Sequence, residues 1–362
     1  MRLTPESSCA AVVTMEILPN PYRHSGLAHP DLADVPWPVA DPSAAQALVA
    51  RCPKAGATPL VAVPGLAAEA GVGALFVKDE RDRMGLGSFK ALGAAHVIAR
   101  DAAEGRAHGR TYVAASAGNH GLSVAAGAAA FGARARIFLA DTVPESFADR
   151  LRAQGAEVVR AGATYEDSMR AAAGAAEAEG LALLSDSSWP GYTARPKVLM
   201  EGYLILMAEV ADQIGASPSH IFVQAGVGGL AGAVAAFVRA TWGDEPRISV
   251  VEPAFAPALF ASIRTGAPVV ANGPVSIMGR LDCKEPSLIA LKGLARDADD
   301  FMTITEEEAA HGVARAAAHG LPSTPSGAAG IAGLLAAARE RETLGLGPEA
   351  KVLAILTEAP TS

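Results

Sequence analysis

From residue 57 onward, short apolar runs alternate with longer stretches whose apolar positions recur at helical spacing. ALFVKD, TYVAAS, ARIFLA, AEVVRA, LALLSD, HIFVQAG, RISVVEP and VLAILTE read as strands, being brief and apolar. Between them the spacing predicts helices near residues 88–101, 119–132, 144–154, 164–180, 193–214 and 229–241. Short apolar strands alternating with helices predict an α/β fold, with largely parallel sheets covered by helices on both faces. Residues 1–56 break the rhythm. They are Pro-rich and weakly periodic, and read as an arm or cover with a helix at PSAAQALVARC. No tandem repeat is evident.

Composition narrows the function. At roughly 150 residues per domain, 362 residues suggest about two domains. Half the residues are hydrophobic and 19% charged, which suits a large close-packed core. A net charge of −8 with no Lys/Arg block argues against nucleic acid as a partner. The cysteines, Cys9, Cys52 and Cys283, form no CxxC pair, so neither a metal site nor a disulfide framework is expected. The first 20 residues lack the basic start and continuous apolar core of a signal peptide, and no apolar run reaches the ~20 residues of a membrane span. A reduced, cytoplasmic protein is expected.

Open parallel sheets bind ligands at the carboxyl ends of their strands. Three glycine-rich strand ends stand out: GLGSFKALG (85–93), SAGNHG (116–121) and AGVGGLAG (225–232). AGVGGLAG follows the HIFVQ strand and opens a helix, an arrangement that aims backbone N–H groups at an anion, most naturally a phosphate. The same glycines also read as a tight packed turn. Gly226, Gly228 and Ala231 satisfy a dinucleotide fingerprint too, with Glu252 as its ribose-binding acid. Lys90 lies among small and apolar residues. Burial there is expected to lower its pKa and free an amine nucleophile suited to a Schiff base, the alternative being a snorkelling lysine. Asn119 suits either a ring hydroxyl of a ligand or an N-cap, and His120 reads as structural.

Taken together and in this order, KDERDRMGLGSFKALG, SAGNHG and AGVGGLAG resemble the fold-type II pyridoxal-phosphate enzymes, the tryptophan synthase β or threonine dehydratase superfamily. The resemblance runs from about residue 57 to the C-terminus. It implies two domains with the active site in the cleft between them: a larger cofactor-binding domain (57–101 plus 190–362) and a smaller one (102–189). It implies Lys90 as the lysine holding pyridoxal 5′-phosphate, and Asn119 as the partner of its phenolic oxygen. Gly226, Val227, Gly228, Gly229 and Leu230 become the phosphate cradle, and Thr357 the partner of the pyridine nitrogen. A homodimer is implied as well.

Within that superfamily the sequence resembles diaminopropionate ammonia-lyase. SDSSWPGYTARPKVLMEGY matches that family's Asp-x-x-Trp-x-Gly-Tyr pattern through Asp186, Trp189, Gly191 and Tyr192. MGRLDCKEPS matches its Met…Leu-x-Cys-x-Glu-Pro segment through Met278, Leu281, Cys283, Glu285 and Pro286. The resemblance implies a small amino acid as substrate, bound by Ser116, Ala117, Gly118, Asp186 and Tyr192. Ser116 and the turn amides are the expected carboxylate donors. Asp186 or Lys90 would take the α-proton, and burial beside Trp189 is expected to raise the pKa of Asp186 toward neutrality.

Departures from the pattern qualify this picture. Ala117 stands where the family carries the Asp that serves the D-isomer, so the L-isomer is expected to be favoured. Arg280, Asp282 and Lys284 replace small residues. They suggest either a substrate with an extra carboxylate or a loop facing solvent. Pro325 stands where an acid usually precedes Ser-Gly. Three other readings compete: a lyase or dehydratase acting on serine, threonine or 3-hydroxyaspartate, a nicotinamide dehydrogenase, and a non-catalytic binding protein. The dehydrogenase reading leaves Lys90 and Asn119 without roles.

Overall fold

A computed structural model describes residues 14–360. Cys9 and most of the stretch weighed as a leader lie outside the described residues. The strands are β1 (Glu16–Pro19), β2 (Leu60–Ala62), β3 (Ala74–Asp79), β4 (Thr111–Ala115), β5 (Arg134–Leu139), β6 (Glu157–Arg160), β7 (Ala182–Leu183), β8 (His220–Gln224), β9 (Arg247–Pro253), β10 (Asp300–Ile304) and β11 (Lys351–Leu356). They build a seven-stranded sheet in the order β1-β10-β9-β8-β11-β3-β2 and a four-stranded sheet in the order β6-β5-β4-β7.

All pairings are parallel except the two edges of the larger sheet, where β1 pairs with β10 and β2 with β3 antiparallel. The continuous apolar strands follow from burial on both faces. Every residue of β4, β8 and β10 is buried. Each of the eight expected strands is present, and the six expected helices start and stop within two residues of their expected ends. The arm does more than cover: its β1 extends the large sheet, and its helix Ser43–Val49 lies where PSAAQALVARC was read. Strand β10 escapes the apolar pattern because acids flank its short DFMTI run on both sides.

One large core joins the two sheets. It contains Tyr112, Ala114 and Ile137 of the small sheet together with Ile221, Val223 and Ile248 of the large one. Helices Lys90–Ala103 and Ala194–Ile214 lie between them, and a glycine permits their close approach. A Cβ on Gly202 would stand 2.5 Å from the Leu92 carbonyl oxygen and 2.9 Å from the His96 Cβ. No helix among the described residues is long and apolar enough to cross a membrane.

Candidate active site

The carboxyl ends of β3, β4, β7, β8 and β11 deliver the candidate residues. Lys90 opens helix Lys90–Ala103, just beyond β3. Its position is set by a short zipper to the end of β11. Phe89 N–H donates to the Thr357 carbonyl at 3.1 Å, and Ala359 N–H donates to that of Gly87 at 2.9 Å. The Lys90 Nζ lies 2.5 Å from Asp186 Oδ2, and the two side chains are only 22% and 21% exposed. The Phe89 ring, with its centroid 5.2 Å away, flanks the amine.

Asp186 sits on the turn after β7. Ser187 N–H donates to Ser185 Oγ, while Ser188 Oγ pairs with Ser287 Oγ at 2.8 Å and accepts Ile289 N–H. This ties the turn to helix Leu288–Asp297. Tyr192 braces the same turn. Its hydroxyl donates to the Leu183 carbonyl and accepts Ser185 N–H, its ring stacks on Trp189 at 4.4 Å, and it borders a separate groove with Arg100, Arg110 and Arg195. The polar atom of Tyr192, expected to touch substrate, is thus engaged by backbone.

Ser116, Ala117 and Gly118 are the partly open residues between fully buried β4 and helix Asn119–Ala130. Ser116 Oγ accepts Gly118 N–H at 3.2 Å, which shapes the turn. Asn119 is buried, and its Nδ2 donates to Glu358, a residue absent from the sequence expectations. Glu358 also takes a hydrogen bond from the Thr324 hydroxyl and pairs with Arg280 Nη1 at 2.9 Å. Burial lifts this carboxyl above the ordinary carboxylate range, against the pull of Arg280, Thr324 and Asn119. Glu358 thus puts an acid in the region where Pro325 had left one missing. Thr357 is buried next to it, its Oγ1 accepting from Gln224 Nε2 at 3.3 Å.

Of the three unexpected charges, only Arg280 reaches this network. Lys284 Nζ is taken by Asp282 at 2.6 Å and by the carbonyls of Phe255 and Pro274. Asp282 also accepts Ser276 N–H. That pair braces its own loop.

Gly226, Val227, Gly228, Gly229 and Leu230 connect β8 to helix Gly229–Trp242. Gly228 has φ +95°, and a Cβ there would stand 2.9 Å from Leu259 Cδ1, so only glycine suits the position. The segment Arg280–Cys283 lies against Gly226, with Cys283 Sγ 3.1 Å from where a Cβ would be. The Tyr203 ring borders Gly229, and its buried hydroxyl has no partner among the described residues. Glu252, the would-be ribose ligand, is fully buried and accepts the N–H groups of Leu259 and Phe260 at 2.8 and 2.7 Å. Capping helix Ala258–Thr265 leaves it closed to any ribose. His120 is structural as expected, its Nε2 2.8 Å from the Leu184 carbonyl oxygen.

Two electrostatic expectations are reversed. Burial disfavours the Lys90 ammonium, yet the Asp186 charge outweighs it and holds Lys90 above the ordinary lysine value. Burial likewise pushes Asp186 up, but Lys90 and then His120 pull it well below the ordinary carboxylate range. With a free amine the two form an ammonium–carboxylate pair. Burial alone predicts a neutral Lys90 and a raised Asp186; the partner each meets reverses both directions.

Glu358, Tyr203, Ser188 and Ser287 join these contacts with no motif that singles them out. The one local signal was an acid at the end of the apolar run VLAIL. For the others the signal is contact between residues distant in sequence.

The model of the family described as pyridoxal-phosphate dependent enzyme matches residues 52–358. The chain is 32% identical over 338 residues to the diaminopropionate ammonia-lyase of Escherichia coli strain K12, covering 84% of each protein. It is 31% identical over 354 residues to that of Salmonella typhimurium strain LT2, covering 86% of this chain and 87% of the relative. Among solved structures it is similar to the Escherichia coli diaminopropionate ammonia-lyase in complex with an aminoacrylate-PLP azomethine reaction intermediate. That likeness has a TM-score of 0.85 and 29% identity over 96% of this chain and 94% of the other. The chain belongs to the pyridoxal-phosphate dependent enzyme family.

Proposed function

We propose that this protein is a pyridoxal-phosphate dependent ammonia-lyase that eliminates the β-substituent of a small amino acid, 2,3-diaminopropionate with the L-isomer favoured. The observation that carries the reading is the contact of Lys90 Nζ with Asp186 Oδ2 at 2.5 Å, within a cleft that also presents the 226–230 glycine turn. Assembly as a homodimer and action in the cytoplasm belong to the same reading.

The residues present fit the cofactor. The Tyr203 ring borders Gly229, and its buried hydroxyl, close to the Lys90 amine, has no hydrogen-bond partner among the described residues, a polar atom left for a bound group to satisfy. A Cβ at Gly226 or Gly228 would run into Cys283 or Leu259, so glycine lets this turn, whose amides would face a phosphate, pack against both. Lys90 would hold the aldehyde carbon, Asn119 the phenolic oxygen, and Thr357 the ring nitrogen. When bound, the cofactor supplies an electron sink that acidifies the α-carbon of an amino acid.

The chain's own residues do the rest. Ser116 and the amides of the 116–119 turn hold the α-carboxylate. Asp186 takes the α-proton. Its low pKa is imposed largely by the Lys90 ammonium; when that charge is withdrawn, burial acts with less opposition and raises the basicity of Asp186. Lys90, within hydrogen-bond reach, can return a proton to the departing β-amine. 2,3-Diaminopropionate loses its α-proton and β-amino group as ammonia. The remaining unsaturated amine takes up water, giving pyruvate and a second ammonia.

Lys90→Ala should abolish the visible absorbance of bound cofactor and pyruvate release. A variant that stays yellow and active would refute the assignment. Asp186→Asn should keep the absorbance while L-isomer turnover falls by about 100-fold or more, and the D-isomer should be a poor substrate of the native protein. Equal rates on both isomers would refute the reading of Ala117.

A further inference from the structure

The edge of Arg280 has no assigned partner. Its Nη1 is held by Glu358 at 2.9 Å, while its Nε is buried and unpartnered among the described residues. The backbone is fixed as well, since Arg280 N–H donates to Ser326 Oγ at 3.0 Å. The Nε atom lies over the turn read as the α-carboxylate site, 3.7 Å from where a Cβ on Gly118 would stand. On the other side, the Arg280 carbonyl oxygen lies 3.3 Å from the corresponding point on Gly226. The residue therefore spans the gap between the 116–119 turn and the glycine cradle, with its side chain 26% exposed.

A buried guanidinium N–H without an acceptor is costly, and the Nε–Nη2 edge is shaped to receive the two oxygens of a carboxylate. Glu358 occupies the opposite edge and so orients the fork. We infer that Arg280 forms a subsite for a second substrate carboxylate, so that this protein also eliminates from β-substituted amino acids bearing a carboxylate on the β-carbon. This rests on the reading of the protein as a pyridoxal-phosphate dependent lyase. For 3-hydroxyaspartate, the α-proton and β-hydroxyl leave as water. The unsaturated amine then takes up one water to give oxaloacetate and ammonia, with no oxidant or reductant needed.

The test compares 3-hydroxyaspartate with serine, which has the same leaving group and one carboxylate fewer. The holoenzyme should favour 3-hydroxyaspartate in kcat/KM by about 10–100-fold. Arg280→Met should erase that preference by lowering kcat/KM for 3-hydroxyaspartate about 10–100-fold more than for serine, and Arg280→Lys should restore part of it. Calorimetric titration with succinate against propionate supplies a readout independent of turnover: the preference for succinate should vanish in Arg280→Met. An equal fall on serine and 3-hydroxyaspartate would mean that Arg280 serves the α-carboxylate, and would overturn the inference. An unchanged ratio would reduce Arg280 to a structural partner of Glu358, with the same consequence. Failure on 2,3-diaminopropionate with intact succinate discrimination would instead sink the proposed substrate and leave the Arg280 subsite standing.

Discussion

At the scale of single residues, burial and partner compete over the buried ionisable groups, and the stronger of the two decides the sign. Lys90 and Asp186 have each other, so both stay charged despite burial. Glu252 has only backbone N–H groups, and there burial wins, raising its pKa from 4.5 to about 8. Between those values the folded state holds a proton that the unfolded chain has released. The contribution of Glu252 to stability therefore falls as pH rises from about 4.5 to 8, and levels off above that. Glu252→Gln has no proton to lose and should be free of this decline. Its melting temperature relative to the native protein should climb between pH 4.5 and 8.5. Parallel stability curves over that range would show that Glu252 ionises normally.

At the scale of elements, the motif KDERDRMGLGSFKALG carries more than its lysine. Before the chain reaches Lys90 it buries a charge cluster beneath the 80–88 loop. Lys78 Nζ donates to Glu209 and to the Thr58 carbonyl, both at 2.6 Å, while Arg83 pairs with Glu80 at 2.7 Å and with Glu209 at 2.6 Å. Lys78 and Glu80 are fully buried. Removing one partner strands the other charges, so Lys78→Met should destabilise the fold by about 3–5 kcal/mol in denaturant titration. Adding Glu209→Gln should recover part of that loss. A loss below about 1 kcal/mol would show that water reaches the cluster.

The same stretch shows what a sequence makes legible. Strands such as RISVVEP and the turns that follow them are written in local pattern, as were Lys90, Asn119 and the 226–230 turn. Glu358 is marked locally by no more than an acid after an apolar run, and its place in the site shows through its bond to Asn119, a residue 239 positions away. Tyr203 reads as one more apolar position in a long helix until Gly229 is found beside its ring. The direction of the Lys90 pKa shift was out of reach for the same reason, since it depends on which residue β7 delivers opposite the amine.

At the scale of the whole molecule, two sheets share one core, and the candidate site residues come from the ends of both. Lys90 comes from the region next to the large sheet, Ser116 and Asn119 from the end of β4, and Asp186 from the end of β7. Leu92, Leu199, Met200 and Tyr203 belong to the same buried cluster as residues of both sheets. Neither sheet can lose its packing without exposing apolar surface of the other, at about 25 cal/mol per Å². The chain should accordingly unfold in one calorimetric transition even without cofactor. A ligand bound where the sheets meet, and only in the folded state, should raise that single transition. The gain is about 2.7 kcal/mol when free cofactor is at 100 times its dissociation constant. Two resolved transitions, with only one moved by pyridoxal phosphate, would mean that the shared core is weaker than either sheet alone. Lys90 and Asn119 would then belong to units that melt independently, and the geometry of the cleft would depend on the cofactor itself to hold it.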